Sequence, residues 1–193
     1  MLSFLIVFIC SYLLGCISTG YYLVKLKKRV NIREIGSGST GATNVGRVLG
    51  KKGYFFTFLI DFAKGISVIL LCNYLNFSET FTLLCGMALL CGHVWPIQLG
   101  FHGGKGISVM VGFFIIWNFT FLIISALVGL IVFLFIRKFT ISGLIGILVI
   151  PVYCVVAQWN VQVICLLYLI IGIIFFAHRD NIKEYINLNF KIK

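Results

Sequence analysis

Residues 107–136 read ISVMVGFFIIWNFTFLIISALVGLIVFLFI, and the number of times this uncharged run crosses a bilayer decides the fold. A membrane-spanning helix needs about 20 apolar residues, with a range of roughly 17–25. The run is therefore long for one upright helix and short for two. The flanking charge settles the count. Lys105 stands just before the run, and Arg137 and Lys138 just after it. Lysine and arginine concentrate in cytoplasmic loops, so both ends belong on one side and an even number of crossings separates them. The chain is expected to turn at Trp117-Asn118, leaving a first helix near 107–117 too short for a full-thickness bilayer.

The rest of the chain agrees with a membrane reading. Of its 193 residues 61% are hydrophobic and 11% charged, whereas soluble domains are nearer half apolar and a quarter charged. Further apolar stretches fall near 2–24, 54–75, 80–98 and 139–177. The last is long enough for two spans, broken near Gln158-Trp159-Asn160. The N-terminus shows neither a basic region nor a small-residue cleavage site, so 2–24 is expected to be a retained span. The expectation is an all-α integral membrane protein of about seven transmembrane helices, some short, forming one polytopic domain over 1–193.

Lys and Arg number 16 against 5 Asp and Glu, a net charge of +11. In a soluble protein this would suggest nucleic acid. Here the cations lie in 25–53, 100–106, 137–140 and 178–193, the pattern of cytoplasmic loops facing anionic headgroups and phosphates. The N-terminus is then outside and the C-terminus cytoplasmic, and no nucleic-acid partner is expected. The seven cysteines form no CxxC pair and have no histidine at zinc spacing. They read as small buried hydrophobes, and no metal site is expected.

Two runs carry the chemistry. The first is Gly36-Ser37-Gly38-Ser39-Thr40-Gly41-Ala42-Thr43-Asn44-Val45-Gly46-Arg47, the second Gly100-Phe101-His102-Gly103-Gly104-Lys105-Gly106. Glycines let backbone N–H groups converge on an anion, and Arg and Lys supply countercharge. Ser37, Thr43 and Asn44 offer neutral donors, Arg47 a guanidinium fork. Lys105 is a point charge at an expected helix N-terminus, where the dipole also favours anions. Two such cradles beside hydrocarbon suit a phosphorylated, partly lipidic molecule. Neither is a Walker A loop, because Gly106 follows Lys105 and Leu99 stands where its first glycine would.

His93 lies shortly before the second run and suits either a hydrogen-bonded structural role or a catalytic one. His178 and Asn181, at i,i+3 spacing after the last span, share one helical face. Asp61 and Lys64 fall inside a span. Ionisable groups there mark function by default, and these two can equally pair as a structural bridge. Arg137, with Thr140 and Ser142, fits a phosphate contact or ordinary topology.

Taken together, SG-x-x-GATN-x-x-R from Ser37, D-x-x-KG from Asp61, GH-x-x-P from Gly92, F-x-GGKG from Phe101 and HR-x-NI from His178 resemble the bacterial acyl-phosphate-dependent glycerol-3-phosphate acyltransferases. The resemblance covers nearly the whole chain in the family's order. It implies transfer of a fatty acyl group from acyl phosphate to the sn-1 hydroxyl of glycerol 3-phosphate, giving lysophosphatidate and phosphate, without a cofactor. It also implies residence in the bacterial cytoplasmic membrane among membrane lipids. By resemblance, Ser37, Thr43, Asn44, Arg47, Lys105, His178 and Asn181 are site residues. With the residue reading above, His178, Asn181 and Lys105 are expected to be catalytic, and Ser37, Gly41, Thr43, Asn44, Arg47, Gly103, Gly104 and His93 to bind substrate. The chain departs from the family pattern at Ser39, His102, Gly143 and Glu184, where Asn, Lys, Ser and Arg are usual. The His-x4-Asp signature of acyl-CoA enzymes is absent: Gln98, Ile107 and Lys183 follow the three histidines at that spacing. The competing class is a transporter or binding protein for a phosphorylated solute, or an acyltransferase with another acceptor. Polar groups within spans would suit transport, but no inverted repeat is visible.

Overall fold

The computed structural model describes residues 2–190, and every regular element among them is helical. The helices are α1 (Leu2–Cys16), α2 (Thr19–Lys28), α3 (Ala42–Tyr74), α4 (Glu79–Val94), α5 (Ile107–Trp117), α6 (Phe119–Ile136), α7 (Phe139–Ile147), α8 (Val149–Val156), α9 (Val161–Ala177) and α10 (Arg179–Phe190). Backbone polar groups in hydrocarbon have no water to bond, so a chain this apolar satisfies them within helices.

Among the described residues, five stretches are long and apolar enough to cross a bilayer: Leu2–Lys28, Ala42–Tyr74, Glu79–Leu99, Phe119–Ile136 and Phe139–Val156. The α9 and α10 pair, bent by 62°, makes a sixth if counted as one span. The expected seventh is α5. Its 11 residues rise about 16 Å, roughly half the hydrocarbon thickness. The turn expected at Trp117-Asn118 is present, with Asn118 extended at φ −157°. The break expected near 158–160 is also present: Gln158 takes φ 54°, and Asn160 caps α9 by accepting the Gln162 N–H at 2.8 Å. Among the cysteines expected to be buried, Cys10 and Cys165 are exposed.

The chain forms two compact units that divide between Trp117 and Asn118. In the N-terminal unit the helices meet through reciprocal glycines. A Cβ on Gly15 would strike the Leu89 carbonyl of α4, and one on Gly92 the Tyr12 carbonyl of α1. Gly65 and Gly112 do the same for α3 and α5, against the Val109 and Phe62 carbonyls. Membrane helices have little hydrophobic drive to associate, so close backbone approach and its dispersion energy hold them together. In the C-terminal unit Gly146 of α7 lies against Ser125 and Gly129 of α6.

Asp61 and Lys64 are a buried bridge, 2.7 Å apart. α1 stops at Cys16 and α2 restarts at Thr19, which frees carbonyls in mid-stretch. Lys64 donates to the Ile17 carbonyl, to Thr19 Oγ1 at 3.0 Å and to Asp61. Gln98 donates to the Cys16 carbonyl. Of the two readings open for this pair, the structure displays the structural one, a bridge that closes a helix break.

Gly92→Ala and Gly112→Ala should each cost about 1–3 kcal/mol through overpacking against backbone. Gly143→Ala and Gly172→Ala, which meet nothing within 4 Å, should be neutral or slightly stabilising. Thermal unfolding midpoints in detergent separate the two sets.

Candidate functional site

In the N-terminal unit, the loop between α2 and α3 is folded tightly around one side chain. Asn44, 1% exposed, reaches back from the first turn of α3. Its Nδ2 donates to the carbonyls of Ile35 at 2.8 Å and Ser39 at 2.9 Å, and its Oδ1 accepts the Ser37 N–H at 3.1 Å. Gly36, at φ 63°, passes directly over that oxygen, where a Cβ would collide. Ile32, Val24 and Val45 form a small apolar floor beneath. Asn44, expected as a substrate donor, thus spends its amide on the loop. Ser37, Thr43 and Arg47 are left exposed on the outer surface. Thr43 and Arg47, one turn apart on α3, share a face. Gly41 precedes α3 without a side-chain cap, so the opening N–H groups of the helix and its dipole favour an anion there.

The second loop folds back onto the end of α4. The Gly103 and Gly104 N–H groups donate to the Val94 and His93 carbonyls at 3.0 and 2.9 Å. The Gly41 N–H likewise donates to Ser39 Oγ at 3.1 Å. This corrects the expectation that the glycine amides converge on the ligand: at these three positions they are already engaged. Their role is shape. Lys105 stands half-buried two residues before α5, at the expected helix start. His93 is 4% exposed and lies beneath Gly104, so its ring is a pillar under the loop and not part of the loop's outer surface.

The two loops are one structure. The Thr40 N–H donates to the Gly103 carbonyl at 3.2 Å, and Arg33 Nη1 donates to the Leu99 carbonyl at 2.6 Å. Arg33 falls within 25–53, one of the stretches whose cations fit a cytoplasmic loop. Its carbonyl partner is remote in sequence, and no local pattern announces it.

In the C-terminal unit His178 sits at the elbow between α9 and α10. It is buried, and its Nδ1 lies 2.8 Å from the Ile174 carbonyl. A carbonyl only accepts, so Nδ1 is the donor in this contact. Asn181, in the first turn of α10, lines a cavity of about 190 Å³ with Lys138, Thr140, Glu184 and Tyr185. Ser142 is buried in α7.

The sequence model of the glycerol-3-phosphate acyltransferase family matches residues 5–188. Glycerol-3-phosphate acyltransferase 1 of Desulfitobacterium hafniense is 42% identical over 92% of this chain and 88% of its own. A Bacillus cereus glycerol-3-phosphate acyltransferase 1 is 38% identical over 89% of this chain and 94% of its own. The crystal structure of PlsY, an integral membrane glycerol 3-phosphate acyltransferase, in its glycerol 3-phosphate form superposes with a TM-score of 0.85. It is 31% identical and covers 99% of this chain and 100% of that one. Its lysophosphatidic acid form gives 0.80 at 32% identity, covering 94% of this chain and 90% of that one.

The internal bonding of the first loop is testable without a ligand. Asn44→Asp keeps the acceptor for Ser37 and loses the donors to Ile35 and Ser39. Each lost buried bond costs about 1–3 kcal/mol. Amide hydrogen exchange over 32–41 should therefore rise about 10-fold or more, with α6 unchanged.

Proposed function

The chain belongs to the glycerol-3-phosphate acyltransferase family, and we propose that the joined loops of its N-terminal unit hold the substrate phosphates. It is an integral membrane acyltransferase of phospholipid biosynthesis that acts on glycerol 3-phosphate. One observation carries the assignment of the site: the Thr40–Gly103 hydrogen bond, at 3.2 Å, brings the backbones of the two cationic loops together.

In this reading the donor is acyl phosphate. The sn-1 hydroxyl oxygen attacks the acyl carbonyl carbon, the bond from that carbon to the phosphate oxygen breaks, and phosphate and lysophosphatidate leave. An acyl phosphate is already activated, so the protein's task is to hold two phosphates, align the alcohol and stabilise an oxyanion. Arg47 presents a bidentate fork and Lys105 a compact charge. The exposed Ser37 and Thr43 hydroxyls and the opening N–H groups of α3 add neutral donors. Gly41, Gly103 and Gly104 shape the loops, Asn44 fixes the first, and His93 supports the second. His178 and Asn181 orient glycerol 3-phosphate. The hydroxyl proton goes to His178 or to the donor's own phosphate, and His178→Gln separates the two: a base cannot be replaced by an amide, whereas a hydrogen-bonding group can.

The chain is further proposed to place residues 25–53, 100–106, 137–140 and 178–193 in the cytoplasm and its N-terminus outside. Lys191 and Lys193, counted in that pattern, lie outside the described residues. On a cysteine-free background, Glu79→Cys and Asn118→Cys should react with an impermeant maleimide from outside. Reaction of position 118 from the cytoplasm alone contradicts this topology.

Arg47→Ala and Lys105→Ala should each lower kcat/KM by about 10²–10³, roughly 2.7–4 kcal/mol. Arg47→Lys should recover little, because a point charge does not reproduce the fork. Lys27→Ala, at the exposed end of α2, should stay within a few-fold. Equal behaviour of all these variants would place the site elsewhere. Acyl-CoA should not replace acyl phosphate at a comparable rate.

A further inference from the structure

His93 stands between two things that must keep a fixed distance. On one side is the Asp61 carboxylate, whose Oδ1 accepts from Thr19 at 3.1 Å and from Lys64 at 2.7 Å. His93 Nδ1 faces the same oxygen at 4.0 Å. That separation exceeds a hydrogen bond, and Nδ1 has no hydrogen-bond partner among the described residues. On the other side is Gly104, so close that a Cβ there would collide with His93 Nε2. The His93 carbonyl meanwhile accepts the Gly104 N–H at 2.9 Å. Lys105 is the next residue.

We propose that His93 is a positioning residue: its imidazole is a spacer between the buried Asp61–Lys64 pair and Gly104, and it sets the height of the loop that presents Lys105. The floor of the spacer is rigid, because Lys64 is tied to the Ile17 carbonyl and Thr19. The roof is a backbone without a side chain, so ring volume converts directly into loop position. The Thr40–Gly103 bond passes the same placement to the first loop. Burying an imidazole with one nitrogen unpaired is unfavourable for stability alone, whereas it follows when the ring's size is what matters. A misplacement of about 1 Å at a reacting group can cost 10²-fold, so a spacer this close to Lys105 governs activity without touching substrate. The inference rests on the reading of Lys105 as a phosphate ligand.

The test is a double-mutant cycle on the purified full chain, with palmitoyl phosphate and glycerol 3-phosphate, below the lowest unfolding midpoint. Gly104→Ala should lower kcat/KM by about 10²-fold and His93→Ala by about tenfold. The double variant should be about tenfold more active than Gly104→Ala alone, since the added methyl enters the volume the ring vacated. His93→Gln, which retains bulk, should keep the wild-type unfolding midpoint and lose less activity than His93→Ala. The KM that Lys105→Ala raises should be the one that His93→Ala raises, with the KM of the other substrate unchanged, a pattern that general destabilisation does not produce. Additive single losses, or wild-type kinetics in both His93 variants, would overturn the spacer. If Lys105→Ala were itself fully active, the site assignment would fail; if Lys105→Ala were inactive and the cycle additive, only the spacer would.

Discussion

A carbonyl released inside hydrocarbon must find a donor, and this requirement governs the N-terminal unit. α1 does not run into α2 unbroken: Ile17 and Ser18 leave the helix between them. The Cys16 and Ile17 carbonyls are met by Gln98 and Lys64. Lys64 brings Asp61 with it, since an uncompensated charge there would cost several kcal/mol. The break is thereby fixed to α3 and to the short turn that follows α4. One helix turn before that turn, Gly92 seats α4 against the Tyr12 carbonyl of α1. A buried polar knot and a glycine contact together hold the end of α4, and the end of α4 carries the Lys105 loop.

From that anchor the loops follow. Gly103 and Gly104 pair with the last carbonyls of α4, and Thr40 pairs with Gly103. Arg33 ties the first loop to Leu99. Non-helical backbone at membrane level is tolerated when protein satisfies it, and here nearly every turn of both loops is bonded internally. The surface that results is stiff, with Arg47, Ser37 and Thr43 exposed on its outer side. A stiff surface suits a reaction whose difficulty is alignment, because no loop ordering is spent when substrate arrives.

Much of this was legible in the sequence because it is local. Charge on either side of 107–136 revealed the turn at Trp117-Asn118, and length alone revealed the break near Gln158. Glycine-rich motifs placed the loops, and Lys105 stands at a helix start as its neighbours suggested. What was not legible depends on partners far along the chain. Nothing near Asn44 says that its amide would bond Ile35 and Ser39 rather than a ligand. Nothing near Gly103 or Gly104 says that their N–H groups are taken by α4. The paired glycines Gly15 with Gly92, and Gly65 with Gly112, carry no signature beyond being small. Asp61 and Lys64 could be paired from spacing, but the further partner of Lys64, the Ile17 carbonyl, is a backbone atom that sequence does not mark.

On the proposed function, this membrane chain moves an acyl group from acyl phosphate to glycerol 3-phosphate. The most direct measurement is the stoichiometry of the purified protein in lipid, following inorganic phosphate and lysophosphatidate together from palmitoyl phosphate. The expected result is phosphate release that requires glycerol 3-phosphate and matches lysophosphatidate mole for mole. Phosphate release that ignores the acceptor, or movement of glycerol 3-phosphate across the bilayer with no lysophosphatidate formed, would contradict it.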